Sequence, residues 1–153
     1  MNGSVTVAVL VYLHVISLSL WFGGLFGYLV IVWPALMSDA DGEFPRAILA
    51  RIAMRTAPWI YLGMSTALLS LAGIWVMDGV AARTPWMVGY SLLLVALVAN
   101  NVYGSTVAWP RIMLLPRSIA GQEWFWFRVR MSVSLVVGLA LYSAAIIAKL
   151  GAG

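Results

Sequence analysis

Cysteine is absent from this 153-residue chain, and histidine occurs once, at position 14. Without thiols there can be no disulfide, thiolate-held metal, iron–sulfur cluster or c-type haem attachment. Charge is scarce too. Only 9% of the residues are Asp, Glu, Lys or Arg, against about a quarter in an ordinary soluble domain. Such a chain has too few charges to clothe a water-facing surface.

What is present is apolar: 63% of the residues are hydrophobic and the mean hydropathy is +0.99. Four stretches are each long enough to cross a hydrocarbon core of ~30 Å, which takes about 20 residues. They run from about residue 5 to 33, 58 to 77, 86 to 109 and 131 to 150. The reading is an all-α integral membrane four-helix bundle, filling one transmembrane domain with no room for a separate soluble one. The first stretch has no basic residue ahead of it and no small-residue cleavage site behind it, so it reads as a permanent helix and not a signal peptide. Pro34, Pro58, Pro85, Pro110 and Pro116 are expected at or beyond helix ends, where a missing N–H costs little.

The basic residues set an expected orientation. Arg46, Arg51 and Arg55 follow the first helix, and Arg111, Arg117, Arg128 and Arg130 follow the third, whereas only Arg83 and Lys149 lie on the other side. The positive-inside rule then puts both arginine-rich segments in the cytoplasm and both termini outside, at an inner (plasma) membrane. The arginines read as topology and phospholipid contact, not as a nucleic-acid surface.

The first connection opens with Asp39, Asp41 and Glu43, an acidic run like the start of a calcium loop but without the later ligands, and so reads as a solvated turn. The arginines and aliphatic residues of 47–55 read as a helix lying at or entering the interface. The two helix pairs are faintly alike. Both odd-numbered helices end in Trp-Pro, and Arg55 is spaced from Gly63 as Arg130 is from Gly138. A parallel duplicated hairpin of this kind would place a site between its halves.

An ionisable side chain inside a membrane is costly, which singles out His14. At helical spacing it shares a stripe with Ser17, Trp21, Gly24 and Tyr28, the expected inward face, with Leu18, Leu25 and Leu29 mainly elsewhere. Two readings of His14 stand side by side: a ligand for copper or haem iron, and a polar contact across the bundle. Tyr90 sits at a similar depth on the third helix, within reach of the imidazole or of a bound group. Asn100 and Asn101 must find partners in hydrocarbon, so they read as interhelical contacts. Trp21 is expected at mid-span with an indole N–H to satisfy, while Trp33, Trp59, Trp75, Trp86, Trp109, Trp124 and Trp126 read as an interfacial belt. The methionines do not cluster as Met-x-x-Met or Met-x-Met, and read as packing residues.

Leu13-His14 followed by Leu20-Trp21-Phe22-Gly23-Gly24-Leu25-Phe26 resembles the first-helix signature of the copper resistance D (CopD-type) membrane domain. Gly73-Ile74-Trp75, Ala99-Asn100, Leu115-Pro116-Arg117 and Phe127-Arg128-Val129-Arg130 agree with it in order and spacing. The Trp-Phe-x-Gly-Leu-Phe run and the Phe-Arg-Val that opens the last helix are also similar to the HemJ-type protoporphyrinogen oxidases. In those proteins a first-helix histidine corresponding to His14 is thought to bind haem b. The lysine that such proteins carry in the third helix is missing here, with Tyr90 near its place, and Trp33-Pro34 stands where a second histidine is expected.

The resemblance therefore implies a CopD-like fold and copper handling without catalysis. His14 is the metal ligand in that reading, and Trp21, Tyr90 and Asn101 line its surroundings. A haem-b redox protein and an accessory subunit of a larger membrane complex are the alternatives. The partners implied are the lipid bilayer, a periplasmic copper protein or such a complex, and a second copy of the chain.

Overall fold

A computed structural model describes residues 2–38, 46–78 and 84–150. Helix α1 (Asn2–Phe26) runs through a π-helical segment, Gly27–Val32, into α2 (Trp33–Ser38). Then come α3 (Arg46–Asp78) and α4 (Pro85–Tyr103), and a second π segment, Gly104–Ala108, leads into α5 (Trp109–Leu114) before α6 (Arg117–Leu150). There is no strand among the described residues. Four spans result: Val5–Ala35, Ala47–Met77, Pro85–Leu114 and Ile119–Ala144. Each is a continuous apolar helix longer than a bilayer requires.

The spans alternate in direction. His14 of α1 meets Ala67 and Ser70 of α3, while further along α1 Gly24 meets Ile60. The same inversion relates Asn100 of α4 to Ser134 of α6, and Phe22 of α1 to Gly138 of α6. The chain is therefore an up-down-up-down four-helix bundle. Packing is closest between α1 and α3, and sparse between α3 and α4. Gly63 explains the first contact, because a Cβ there would lie 3.0 Å from the Ser17 carbonyl oxygen and 3.1 Å from the Trp21 amide. Small residues are what let membrane helices approach this closely.

The outer faces are apolar all round, with Leu69, Val76, Val136 and Leu114 among many exposed aliphatic side chains. Water would not tolerate a surface of that kind on four long helices, and hydrocarbon matches it. The protein is a multi-pass membrane protein whose solvent is the lipid bilayer.

Several boundaries differ from the sequence reading. Span two starts near Arg46 and span four near Arg117, and the expected helix over 47–55 is the first part of α3, continuous with the span. Pro58 lies inside α3. Its ring is exposed and the helix continues past it, since the lost hydrogen bond is local. The acidic run at residues 39–43 lies outside the described residues. Pro85 does open α4, behind Thr84, whose side chain accepts from the Met87 amide.

Nor do Trp33-Pro34 and Trp109-Pro110 end their helices. A proline inside a helix cannot donate to the carbonyl four residues back and collides with it. Both helices respond identically: the Trp33 N–H bonds the Tyr28 carbonyl and the Trp109 N–H bonds the Gly104 carbonyl, five residues back in each case. The widened turn moves the offending carbonyl aside. Around the second one, the Ser105 hydroxyl bonds the Asn101 carbonyl and the Thr106 hydroxyl bonds the Val102 carbonyl.

Trp33 and Trp124 are buried inside the bundle and do not face outward. Their rings stack 4.4 Å apart at the arginine-bearing end of the bundle, joined by Trp109 and Phe127 and packed on Leu49 and Ile112. The Arg128 guanidinium covers the Trp33 ring at 5.0 Å. Trp59, Trp86 and Trp126 are exposed, as belt residues should be.

Candidate functional site

The inward face of α1 is wider than the predicted stripe. Leu18, Phe22, Leu25 and Leu29 are buried along with His14, Ser17 and Trp21, whereas Gly24 is exposed. The three-and-four spacing produces two adjoining rows, and both face the bundle because α3 and α6 pack on either side.

His14 is buried where α1, α3 and α4 meet. Its Nδ1 lies 2.9 Å from the Ala67 carbonyl oxygen and 3.0 Å from the Ser70 hydroxyl. A carbonyl only accepts, so Nδ1 carries the proton and donates. Ser70 donates its own hydroxyl to the same carbonyl, at 3.0 Å. On the other side of the ring, Nε2 lies 2.6 Å from the Tyr90 hydroxyl, and in the neutral imidazole it accepts from that O–H. Both ring nitrogens are therefore satisfied from within the bundle, by two helices outside His14's own.

His14 and Tyr90 occupy matching places in the two halves. Tyr90 precedes Trp109 by 19 residues, as His14 precedes Trp33. The hydrogen bond between them thus joins equivalent positions of the two helix pairs. The glycine match does not give equivalent contacts: Gly63 receives the backbone of α1, but Gly138 also meets α1, through the Phe22 ring, where a repeat would pair it with α4.

The other residues predicted for this site lie elsewhere along the bundle. Trp21 is seven residues, or ~10 Å, further down α1 at 1.5 Å per residue. It stacks on Phe22 at 4.7 Å, and its buried indole N–H has no hydrogen-bond partner. Ser17 returns its hydroxyl to the Leu13 carbonyl of its own helix. Asn101 is ~16 Å along α4 from Tyr90, near the middle of its span. Its neighbour Asn100 is the interhelical contact: the Asn100 amide donates to Ser134 at 2.6 Å and its oxygen accepts from Arg130 Nε, while the Arg130 guanidinium covers Tyr103.

Metal and haem ask for different surroundings. No group of three His, Cys, Asp or Glu side chains is assembled among the described residues, so His14 stands without a second nitrogen or carboxylate ligand. The soft donors nearest in sequence to its partners are Met64, one turn before Ala67, and Met87, one turn before Tyr90, both packed in the same apolar core. Both ring nitrogens of His14 are engaged, so a haem iron, like a copper ion, would reach Nε2 only after the Tyr90 hydroxyl turned away, and the cavities that border α1 from Leu18 onward are lined by other residues.

Sequence reasoning missed a mostly apolar cavity of about 300 Å³ at the arginine-bearing end. All four spans line it, and both π segments contribute, through Tyr28 and Leu29 from one and Ser105 from the other. The Trp-Pro repeats were the available signal. No protein family, curated protein or solved structure matches the chain.

Proposed function

We propose that the chain is a CopD-like inner-membrane protein that handles copper without catalysing a reaction, with His14 as the group that engages the ion. The observation that carries this reading is the burial of the only histidine at the junction of three helices, with its Nε2 held by a single neutral hydroxyl. An intramembrane ionisable group is by default a functional one, because hydrocarbon makes it expensive to keep. Neutral imidazole suits copper, and thioethers such as Met64 and Met87 suit its reduced form. The orientation that accompanies this reading has the arginine-bearing end in the cytoplasm and both termini outside.

Tyr90 is then a cap. For Nε2 to bind a cation, the Tyr90 hydroxyl has to turn away, while the Ala67 carbonyl keeps the proton on Nδ1 and holds the ring in the ligating tautomer. That is the division of labour commonly found around a metal-binding histidine.

Anaerobic purification, loading with Cu(I) and competition against a Cu(I) chelator test the proposal. The expected result is one bound ion in the wild type, its loss in His14→Ala, and binding at least as tight in Tyr90→Phe. Copper absent from the wild type, or present equally in His14→Ala, would reject it. A Soret band that depends on His14 would replace copper by haem, and neither metal nor colour would leave an accessory subunit.

A further inference from the structure

The cavity at the arginine-bearing end carries its own chemistry, independent of His14. Its walls are mostly apolar and aromatic, with Tyr28, Tyr61, Trp109 and Phe127 around it, and its rim includes the exposed Met54 on the lipid side. Two polar groups in the lining are buried with no partner: the Nδ2 of Asn101, a residue only 6% exposed, and the Tyr28 hydroxyl. Of the remaining hydroxyls, Tyr61 and Ser105 are hydrogen-bonded to each other and Thr56 donates to the Ile52 carbonyl of its own helix.

An amide nitrogen is a donor only, so what is missing is an acceptor. A lipid acyl chain fills apolar volume but leaves the donor unsatisfied, at a cost typical of a buried polar group. Water could use Asn101 and Tyr28 as partners but would leave the mostly apolar walls wet. A carboxylate or phosphate brings charge, and no Lys or Arg lines the cavity. A neutral carbonyl on a flat apolar body meets all three conditions, and about 300 Å³ accommodates a ring of that size.

We infer that this cavity binds a lipid-soluble molecule bearing a ring carbonyl, the chemistry of a quinone head group, with the carbonyl oxygen accepting from Asn101 and Tyr28. The π segments are part of the design. Each widens its helix beside the cavity, and such turns recur at functional sites.

The full chain in nanodiscs, titrated with radiolabelled decyl-para-benzoquinone against empty nanodiscs, tests the inference, with decylbenzene as the carbonyl-free control. Saturable quinone binding is expected, about tenfold tighter than decylbenzene, with Asn101→Leu removing that advantage. Ala57→Phe, which places a ring inside the cavity, is expected to abolish binding while the protein still unfolds cooperatively on heating. Equal binding of quinone and decylbenzene, unchanged affinity in Asn101→Leu, or no saturable binding above the empty discs would each overturn it.

Discussion

His14 donates from Nδ1 to a backbone carbonyl and accepts at Nε2 from a phenol, so its two sides respond differently to mutation. Tyr90→Phe leaves Nε2 unpaired inside the bundle and is expected to destabilise it by about 1 kcal/mol, the usual size of an interhelical hydrogen bond in a membrane. Ser70→Ala should cost less, because the Ala67 carbonyl still receives the Nδ1 proton. Unfolding of the two variants in mixed micelles checks the order, and a larger loss for Ser70→Ala would reverse the assignment of donor and acceptor. The pairing of His14 with Tyr90 was legible in the sequence. Each precedes a Trp-Pro pair by 19 residues, and helical rise is constant. Ala67 was not legible, because a backbone carbonyl acceptor leaves no trace in residue identity.

At the scale of elements, glycine and proline act where neighbours come close. Gly63→Leu forces atoms into the Ser17 carbonyl and the Trp21 backbone, and overpacking of that kind costs about 1–3 kcal/mol. Gly23→Leu is expected to be near neutral, since nothing lies within 4 Å of a Cβ placed there. The pair is compared by thermal unfolding in detergent, and equal losses would count against the close α1–α3 contact. The prolines misled the sequence reading for a physical reason. Pro34, Pro58 and Pro110 were taken to mark helix ends, yet apolar length on both sides favours continuing the helix, and hydrocarbon penalises every backbone group left unpaired. A π turn or one missing bond is the smaller cost. The arginine-led starts of α3 and α6 were misplaced for a similar reason: long basic side chains near a membrane surface extend their charge outward while the helix itself continues.

Across the whole molecule, four apolar helices were readable from composition alone, since length and lack of charge decide that question. The short sequence matches between the two halves correspond to paired π segments, each ahead of a Trp-Pro, whereas Gly63 and Gly138 both pack on α1. Orientation remains a matter of the arginines, and the absence of cysteine makes it easy to probe. A cysteine replacing exposed Thr84 should react with a membrane-impermeant maleimide added to intact cells, and one replacing exposed Arg111 should react only after lysis. The reverse pattern would turn the bundle over. Such a reversal would put His14 nearer the cytoplasmic side and remove the periplasmic route for copper.

The account centres on His14 as the group that meets a metal ion, and because the chain holds a single histidine, ¹⁵N-histidine labelling reports on that ring alone. Spectra of the labelled protein in nanodiscs, recorded before and after anaerobic addition of Cu(I), test it most directly. Without copper, Nδ1 is expected as the protonated nitrogen and Nε2 as the unprotonated one. With copper, Nε2 should shift strongly while Nδ1 keeps its proton, and an Nε2 resonance unmoved at saturating Cu(I) would contradict the account.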